Sequence, residues 1–420
     1  MALATTGAPT TTPPSAPNTS YLLPMALMVT LYFSIGFITA LNDILVAHFK
    51  TLFALSNVLA MLVQFCFFGA YFVMSLPSGA IIRRIGYKPG IIAALCTMGL
   101  GLLLFLPASI AISYPLFLFA LFVVGSGLAL LQVAINPYVG ALGSPETAAS
   151  RLNLCGFLNS SATTLAPRLG AIFIFVAAGA TAAEKARSVR APYLIVAAFT
   201  FAIAIVTLFV PLPEIIPTHD LTDSPTEGSA WDFRHLRLGA LAIFFYVGAE
   251  VAIGSILINF LGQPSMGSIA PAAAAGYVSL YWGGAMVGRL IGSVALLRIR
   301  AERALAAVAV VAAILVTVTL LGHGTVAMWA IVSCGLFNSV MWPCIFPLGV
   351  KDLGKLTSQG SGILVMMVVG GAIIPEVQGF LADRFGYQPS FLIVLLCYAY
   401  LVYYGLTGFK VRRPSATLSS

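Results

Sequence analysis

Three carboxylates fall inside long apolar stretches of the chain: Asp43 in ALNDIL, Glu250 in YVGAEVAIGS, and Glu376 directly after Pro375. A charge in hydrocarbon is disfavoured by at least about 2.5 kcal/mol, so an acid kept there calls for a role in moving protons or ions. Glu250 has no charged residue within ten positions on either side. It reads as a carboxyl that can take up and release a proton, the plainer alternative being a structural acid kept neutral by its surroundings. Asp43 reads the same way, against the alternative of an interfacial acid answering His48 or Lys50. Glu376 lies near a helix end and is expected to cap or snorkel. Two cations are embedded as well, Arg168 in APRLG and Arg289 in GGAMVGRLIG. Arg289 is expected to act as a structural latch on carbonyls of neighbouring helices. Arg168 is a candidate partner for Glu376 or Glu250.

A second set is uncharged. Asn42, Gln64, Gln132, Asn136, Asn159, Asn259 and Asn338 are amides within apolar stretches, as are Asn153 and Gln359. An amide both donates and accepts, which matches the paired character of a sugar hydroxyl. Taken singly, each is as well explained as interhelical glue. Taken together, with Trp282 and Trp342 to face a pyranose ring, they suggest a cavity for a polyol-sized solute. Gln132 and Asn136 are four apart, as are Asn338 and Trp342, so each pair shares a helix face. The segment GAIIRRIGYKPG (79–90) reads as a tight turn in which Arg83 and Arg84 flank helix ends, and Gly79 and Gly86 allow close helix approach.

The elements that must hold these residues follow from composition. Of 420 residues, 60% are hydrophobic and 8% charged, and the mean hydropathy is +1.01. A soluble domain carries roughly 25% charged residues. That excludes a cytosolic enzyme, a nucleic-acid binder and a disordered scaffold. Six cysteines show no CxxC spacing, so neither a zinc site nor a disulfide framework is expected. No GxxxxGK[ST] is present, so ATP is not the expected energy source, and no cofactor is implied.

A bilayer core of about 30 Å needs roughly 20 apolar residues per helix. Twelve stretches qualify: 21–46, 56–82, 90–109, 114–142, 152–178, 191–212, 236–262, 274–297, 303–321, 325–349, 358–380 and 389–409. The expected class is an all-α membrane protein of two six-helix bundles, 21–212 and 236–409, joined by a polar linker at 213–235. Residues 1–20 read as a disordered tail without the basic start of a signal peptide, and 410–420 as a second tail. With the N-terminus inside, 14 of the 21 basic residues fall in inside loops and tail and 5 in outside loops, with Arg168 and Arg289 in spans. The positive-inside rule therefore places both termini in the cytoplasm. The echo of Asn136-Pro137 in Trp342-Pro343, 206 positions on, and of Pro167 in Pro375 points to repeated halves, as in many secondary carriers.

Several segments carry a resemblance to a known family. They are GFITALNDILVAHFK (36–50), LALLQVAINPYVGALG (128–143), RLNLCGFLNS (151–160), LGALAIFFYVGAEVAIGSILINFLG (238–262), SLYWGGAMVGRLIGS (279–293) and TSQGSGILVMMVVGGAIIPEVQG (357–379). Together the chain resembles the major facilitator superfamily and, within it, the fucose–proton symporter family in its bacterial glucose/galactose branch. The resemblance implies two bundles rocking about a central sugar cavity. It implies a proton-coupling role for Asp43, and a shift of the second acid from the fourth helix, where Gln132 stands, to Glu250. It also implies that Asn159 lines the cavity.

The expected function is import of a monosaccharide such as glucose, galactose or fucose by proton symport across the inner membrane, by a monomer. Sodium coupling and proton-driven export of a non-sugar solute are the alternatives on the same fold.

Overall fold

The computed structural model describes residues 21–55, 57–174, 181–213 and 228–411. The expected tail at 1–20, most of the linker, and the end of the second tail lie outside the described residues. Apolar runs with no water to satisfy their backbone must close their hydrogen bonds within each segment, and the described chain is helical accordingly. The N-terminal half contains α1 (Leu22–Leu52), α2 (Asn57–Ile85), α3 (Tyr87–Ala111), α4 (Tyr114–Ala141), α5 (Ala148–Ile174) and α6 (Arg190–Phe209), the last preceded by a short helix at Ala182–Ser188. The C-terminal half contains α7 (Arg234–Leu261), α8 (Pro271–Ala295), α9 (Ala301–Leu321), α10 (Gly324–Val350), α11 (Gly354–Phe385) and α12 (Tyr387–Gly408).

Among the described residues, ten of these twelve are long and apolar enough to cross a bilayer by length and composition. The remaining two, α5 and α8, carry the polar residues that face the other half, including Asn153, Ser160, Arg289 and Ser293. Their lower hydropathy follows from that placement rather than from a place outside the membrane.

The packing repeats. In the first half α1 lies on α5, α2 and α3 on α4, and α3 on α6; in the second, α7 lies on α11, α8 and α9 on α10, and α9 on α12. Every partnership recurs six helices later. The halves meet through α2 on α11 and α5 on α8, which are related in the same way.

Two turns share a second likeness. Arg84-Ile85-Gly86-Tyr87-Lys88-Pro89 joins α2 to α3, and Arg384-Phe385-Gly386-Tyr387-Gln388-Pro389 joins α11 to α12. Gly86 (φ +85) and Gly386 (φ +93) take the left-handed conformation that glycine tolerates, so one helix can end and the next begin without a loop. The residue two places on then caps another helix. Lys88 Nζ donates to the Leu208 and Val210 carbonyls at the end of α6, both at 2.9 Å. Gln388 Nε2 donates to the Thr319, Leu320 and Gly322 carbonyls at the end of α9. These carbonyls have no partner within their own helices. Arg83 and Arg84, in the last turn of α2, are exposed and sit where a helix C-terminus favours cations.

Candidate transport site

The bundles pack closely at one end, and α2 stays against α11 beyond it: a Cβ at Gly371 would stand 3.5 Å from Phe68 Cε1. Since successive helices alternate in direction, the end of α2, the start of α5, the end of α8 and the start of α11 lie on the side that carries both chain termini. There Ser150 Oγ of α5 donates to the Ser293 carbonyl of α8, and Gly292 packs against the Asn153 amide. On the symmetry-related side, Ser361 Oγ of α11 donates to the Val133 carbonyl of α4 at 2.9 Å. Gly79 of α2 lies so close to α11 that a Cβ there would stand 2.6 Å from the Ser358 carbonyl oxygen. Behind that contact, Gln359 Oε1 accepts from the Ala230 backbone N–H at 3.0 Å, which ties the last turn of the linker to α11.

Arg289 crosses between the bundles deeper in. Its Nη1 donates to the Gly156 carbonyl on α5 at 3.1 Å and to Ser160 Oγ. The guanidinium also lies within electrostatic reach of Tyr32 on α1 and of Tyr246 and Glu250 on α7. Glu250 is 8% exposed, and its Oε1 has no hydrogen-bond partner among the described residues. Tyr246 is in hydrogen-bond relation to both Glu250 and Arg289. The cation that binds two oxygens of the N-terminal half thus also lies in the field of a buried carboxyl of the C-terminal half, with no ion pair between the two among the described residues.

Each half has its own hydroxyl–amide network. In the first, Tyr32 Oη donates to Asn136 Oδ1, Asn159 Nδ2 donates to the Tyr32 carbonyl at 2.9 Å, and Gln132 Nε2 donates to Tyr71 Oη at 2.8 Å. In the second, Asn338 Nδ2 donates to Tyr281 Oη at 2.9 Å, and Tyr398 Oη donates to Asn338 Oδ1 at 2.7 Å. Tyr281 Oη in turn donates to the Glu250 backbone carbonyl at 2.9 Å. An aromatic hydroxyl buried in a span needs a partner, and these amides supply it.

This placement revises two expectations from spacing. Asn338 is fully buried with both ends of its amide taken by tyrosines, so it braces the C-terminal bundle and has no free group for a solute. Asn136 is 1% exposed between α1 and α4; its Oδ1 accepts from Tyr32 while its buried Nδ2 has no partner among the described residues. Gln132 and Asn159 are half-buried. Trp282 is 41% exposed, and Trp342 is half-buried with its ring 5.9 Å from Phe346. Asn259 and Glu376 are exposed, both in the half of their helices away from the termini. The side chains of Asn42, Asp43, Gln64 and Arg168 lie outside those described. The four tyrosines and the serines of the closed end were not expected from the sequence, although a tyrosine inside a span is itself a signal that a polar partner faces it.

The α8 stripe shows where the halves part. Ser293, Arg289, Met286 and Trp282 recur at helical spacing on one face. Ser293 and Arg289 touch α5, and Met286 Sδ is 3.8 Å from Ser161 Oγ. At Trp282, about 10 Å beyond Arg289 along the axis, the ring is open, and Thr164 and Leu165 on α5 are exposed as well. Along the α5–α8 contact the side chains are thus paired near the termini end and more exposed at Trp282, Thr164 and Leu165.

Residues 27–375 match the model of the Major Facilitator Superfamily. The chain belongs to this family. It is 49% identical over 392 residues to a protein named glucose/galactose transporter from Brucella abortus biovar 1 (strain 9-941), covering 93% of this chain and 95% of that one. It is 33% identical over 411 residues to the L-fucose-proton symporter of Escherichia coli (strain K12), covering 90% and 92%. The crystal structure of the E. coli fucose:proton symporter superposes with a TM-score of 0.84 at 30% identity, covering 92% of this chain and 98% of that chain. A crystal structure of the same transporter in the outward conformation matches equally, with a TM-score of 0.84 at 31% identity. The chain is thus a multi-pass membrane transporter of the two-bundle fold, and not an enzyme.

Proposed function

We propose that this transporter carries a hexose into the cell together with a proton, by alternating access of its two bundles as a monomer. One observation carries the mechanism: the cation that bridges the bundles, Arg289, is also the neighbour of a buried carboxyl, Glu250. Whether that carboxyl is charged or neutral changes what holds Arg289, and Arg289 helps to hold the closed end. The sugar and the proton are suggested by the relatives, named a glucose/galactose transporter and an L-fucose-proton symporter.

In this scheme the space open toward Trp282 faces outward, both termini are cytoplasmic, and the membrane is a bacterial inner membrane. Asp43 takes a proton from outside, and the sugar settles against Gln132, Asn159 and Trp282. A neutral carboxyl lowers the penalty for closing a dry cavity over it. Glu250 shares or tunes the proton site. As the termini end opens, the Arg289 contacts to α5 break, and sugar and proton leave inward. Coupling requires the fully loaded carrier to cross more readily than the half-loaded one, which amounts to a difference in affinity between the two states.

The test is purified protein in liposomes with a panel of labelled hexoses and an imposed pH or sodium gradient. Accumulation of a hexose with an inward proton gradient at constant sodium is the expected result. Accumulation that follows sodium at fixed pH would replace the proton by sodium. Hexose-insensitive transport of an amphipathic cation would overturn sugar import.

A further inference from the structure

Gly254 lies on α7 one turn beyond Glu250, and the Trp282 indole of α8 lies flat against it. A Cβ at position 254 would stand 3.0 Å from Trp282 Cζ2, 3.5 Å from Cε2 and 3.6 Å from Nε1, so one whole edge of the indole is seated on the bare backbone. The other side of the ring is fixed. Tyr281 stands edge-on to Trp282 with centroids 5.1 Å apart at 75°. Tyr281 itself is pinned by the Glu250 carbonyl and by Asn338, which Tyr398 holds in turn. The indole cannot retreat toward the bundle core. Its free direction is away from Gly254 and Tyr281: 41% of the residue is exposed, on the α8 face whose Met286 and Arg289 meet α5.

We propose that Gly254 is a specificity-determining residue: by seating Trp282 back against α7, it leaves between the bundles the depth that a six-carbon sugar needs beyond a five-carbon one. The proposal rests on the sugar-import reading and deepens it. The seated indole offers an apolar face to the C–H side of a pyranose ring, and Gln132 and Asn159 are the half-buried amides the other half contributes in that reading. A methyl group at position 254 pushes the ring outward by a few tenths of an ångström, and a branched side chain pushes it further. Gly254 touches no solute and acts through Trp282, so it is a positioning residue.

The experiment compares D-glucose with D-xylose, which lacks the hydroxymethyl group, in counterflow by the full chain in liposomes. Gly254→Ala is expected to raise KM for glucose relative to xylose by about tenfold with the maximal rate unchanged, the scale of discrimination that one methylene supplies in an apolar pocket. Gly254→Val is expected to shift the ratio further in the same direction. In a Trp282→Ala background, Gly254→Ala should leave the ratio where Trp282→Ala puts it, because the two residues act through one contact. Retained thermal unfolding midpoints show that the variants fold, which Gly254→Ala favours because alanine is the better helix former. An unchanged ratio in Gly254→Ala, or the same shift with and without the indole, overturns the proposal while sugar import stands. If the unsubstituted protein carries neither sugar, both fail together.

Discussion

Replacing Arg289 by alanine should open the end of the molecule that the structure shows closed. Four hydrogen bonds among nitrogen and oxygen atoms cross between the bundles near that end among the described residues: Ser150 to Ser293, Ser361 to Val133, and the two from Arg289 Nη1 to Gly156 and Ser160. A neutral bond contributes about 1 kcal/mol, and one from a charged donor about 1.5–3 kcal/mol. The guanidinium regains water once the bundles separate, so the lower figure applies, and its two bonds together amount to about 3 kcal/mol. That corresponds to roughly a hundredfold shift in the ratio of closed to open states, at 1.4 kcal/mol per tenfold. Lysine has one compact ammonium in place of the planar fork and reaches one partner at a time, so Arg289→Lys should give an intermediate shift. Spin labels report the change directly at two exposed positions that flank the Gly79–Ser358 contact, introduced as Arg83→Cys and Lys355→Cys. The half-buried thiols Cys66 and Cys96 must first be replaced. The expected result is a longer-distance population in Arg289→Ala that is absent from the unsubstituted protein. An identical distance distribution in the two proteins would show that Arg289 does not hold the closed end.

Glu250→Gln keeps the side-chain shape and removes the titration, so uptake driven by a pH gradient should be lost while sugar counterflow persists; loss of both would make Glu250 a structural residue. Asn338→Ala leaves the Tyr398 hydroxyl without its acceptor in a fully buried site, and thermal unfolding should register about 2–3 kcal/mol of destabilisation with KM unchanged. Outside the spans, Glu184 Oε2 accepts from the Thr181 backbone N–H at 2.7 Å and its hydroxyl at 2.9 Å, which holds this carboxyl below its ordinary range. A carboxyl depressed in the folded state stabilises above its unfolded pKa, and that contribution fades as pH falls through the folded value. Protection of the 182–188 amides, corrected for intrinsic exchange, should therefore decline on acidification in the unsubstituted protein and be flat in Glu184→Gln.

The fold was legible because the constraint behind it is severe. A segment in hydrocarbon must satisfy its own backbone, so length and hydropathy alone mark most of the helices. What spacing could not supply was which polar stripe faces the cavity. Asn338 and Trp342 share a helix face by arithmetic, but a helix inside a bundle has several sheltered faces, and Asn338 points into the one occupied by Tyr281 and Tyr398. Gln132 and Asn136 differ for the same reason: one turn apart on α4, the first reaches Tyr71 at a half-open position and the second is sealed beneath Tyr32. That Arg289 would meet a carbonyl of another helix was legible because a cation in a span must find one. Its partners on α5 lie more than a hundred residues away in sequence, and only the packing of the two halves names them.

The division of polar groups between the halves bears on how coupling travels. In the C-terminal bundle, Trp282, Glu250 and Arg289 lie within about three helical turns of one another on α7 and α8, and Tyr281 ties the two helices together at the Glu250 carbonyl. In the proposed scheme the face offered to the solute, the titrating carboxyl and the cation of the closed end are thus parts of one braced unit. In that scheme a proton on Glu250 and a sugar against Trp282 would both act on the element that carries Arg289, so no relay through distant packing is required. The two-state element of the proposed scheme is the α5–α8 contact itself, made here through Gly156 and Ser160. If that is the coupling device, conserving charge at Glu250 matters less than conserving its distance from Arg289. Glu250→Asp, which keeps the carboxyl and withdraws it by one methylene, should then impair coupling nearly as much as the amide does.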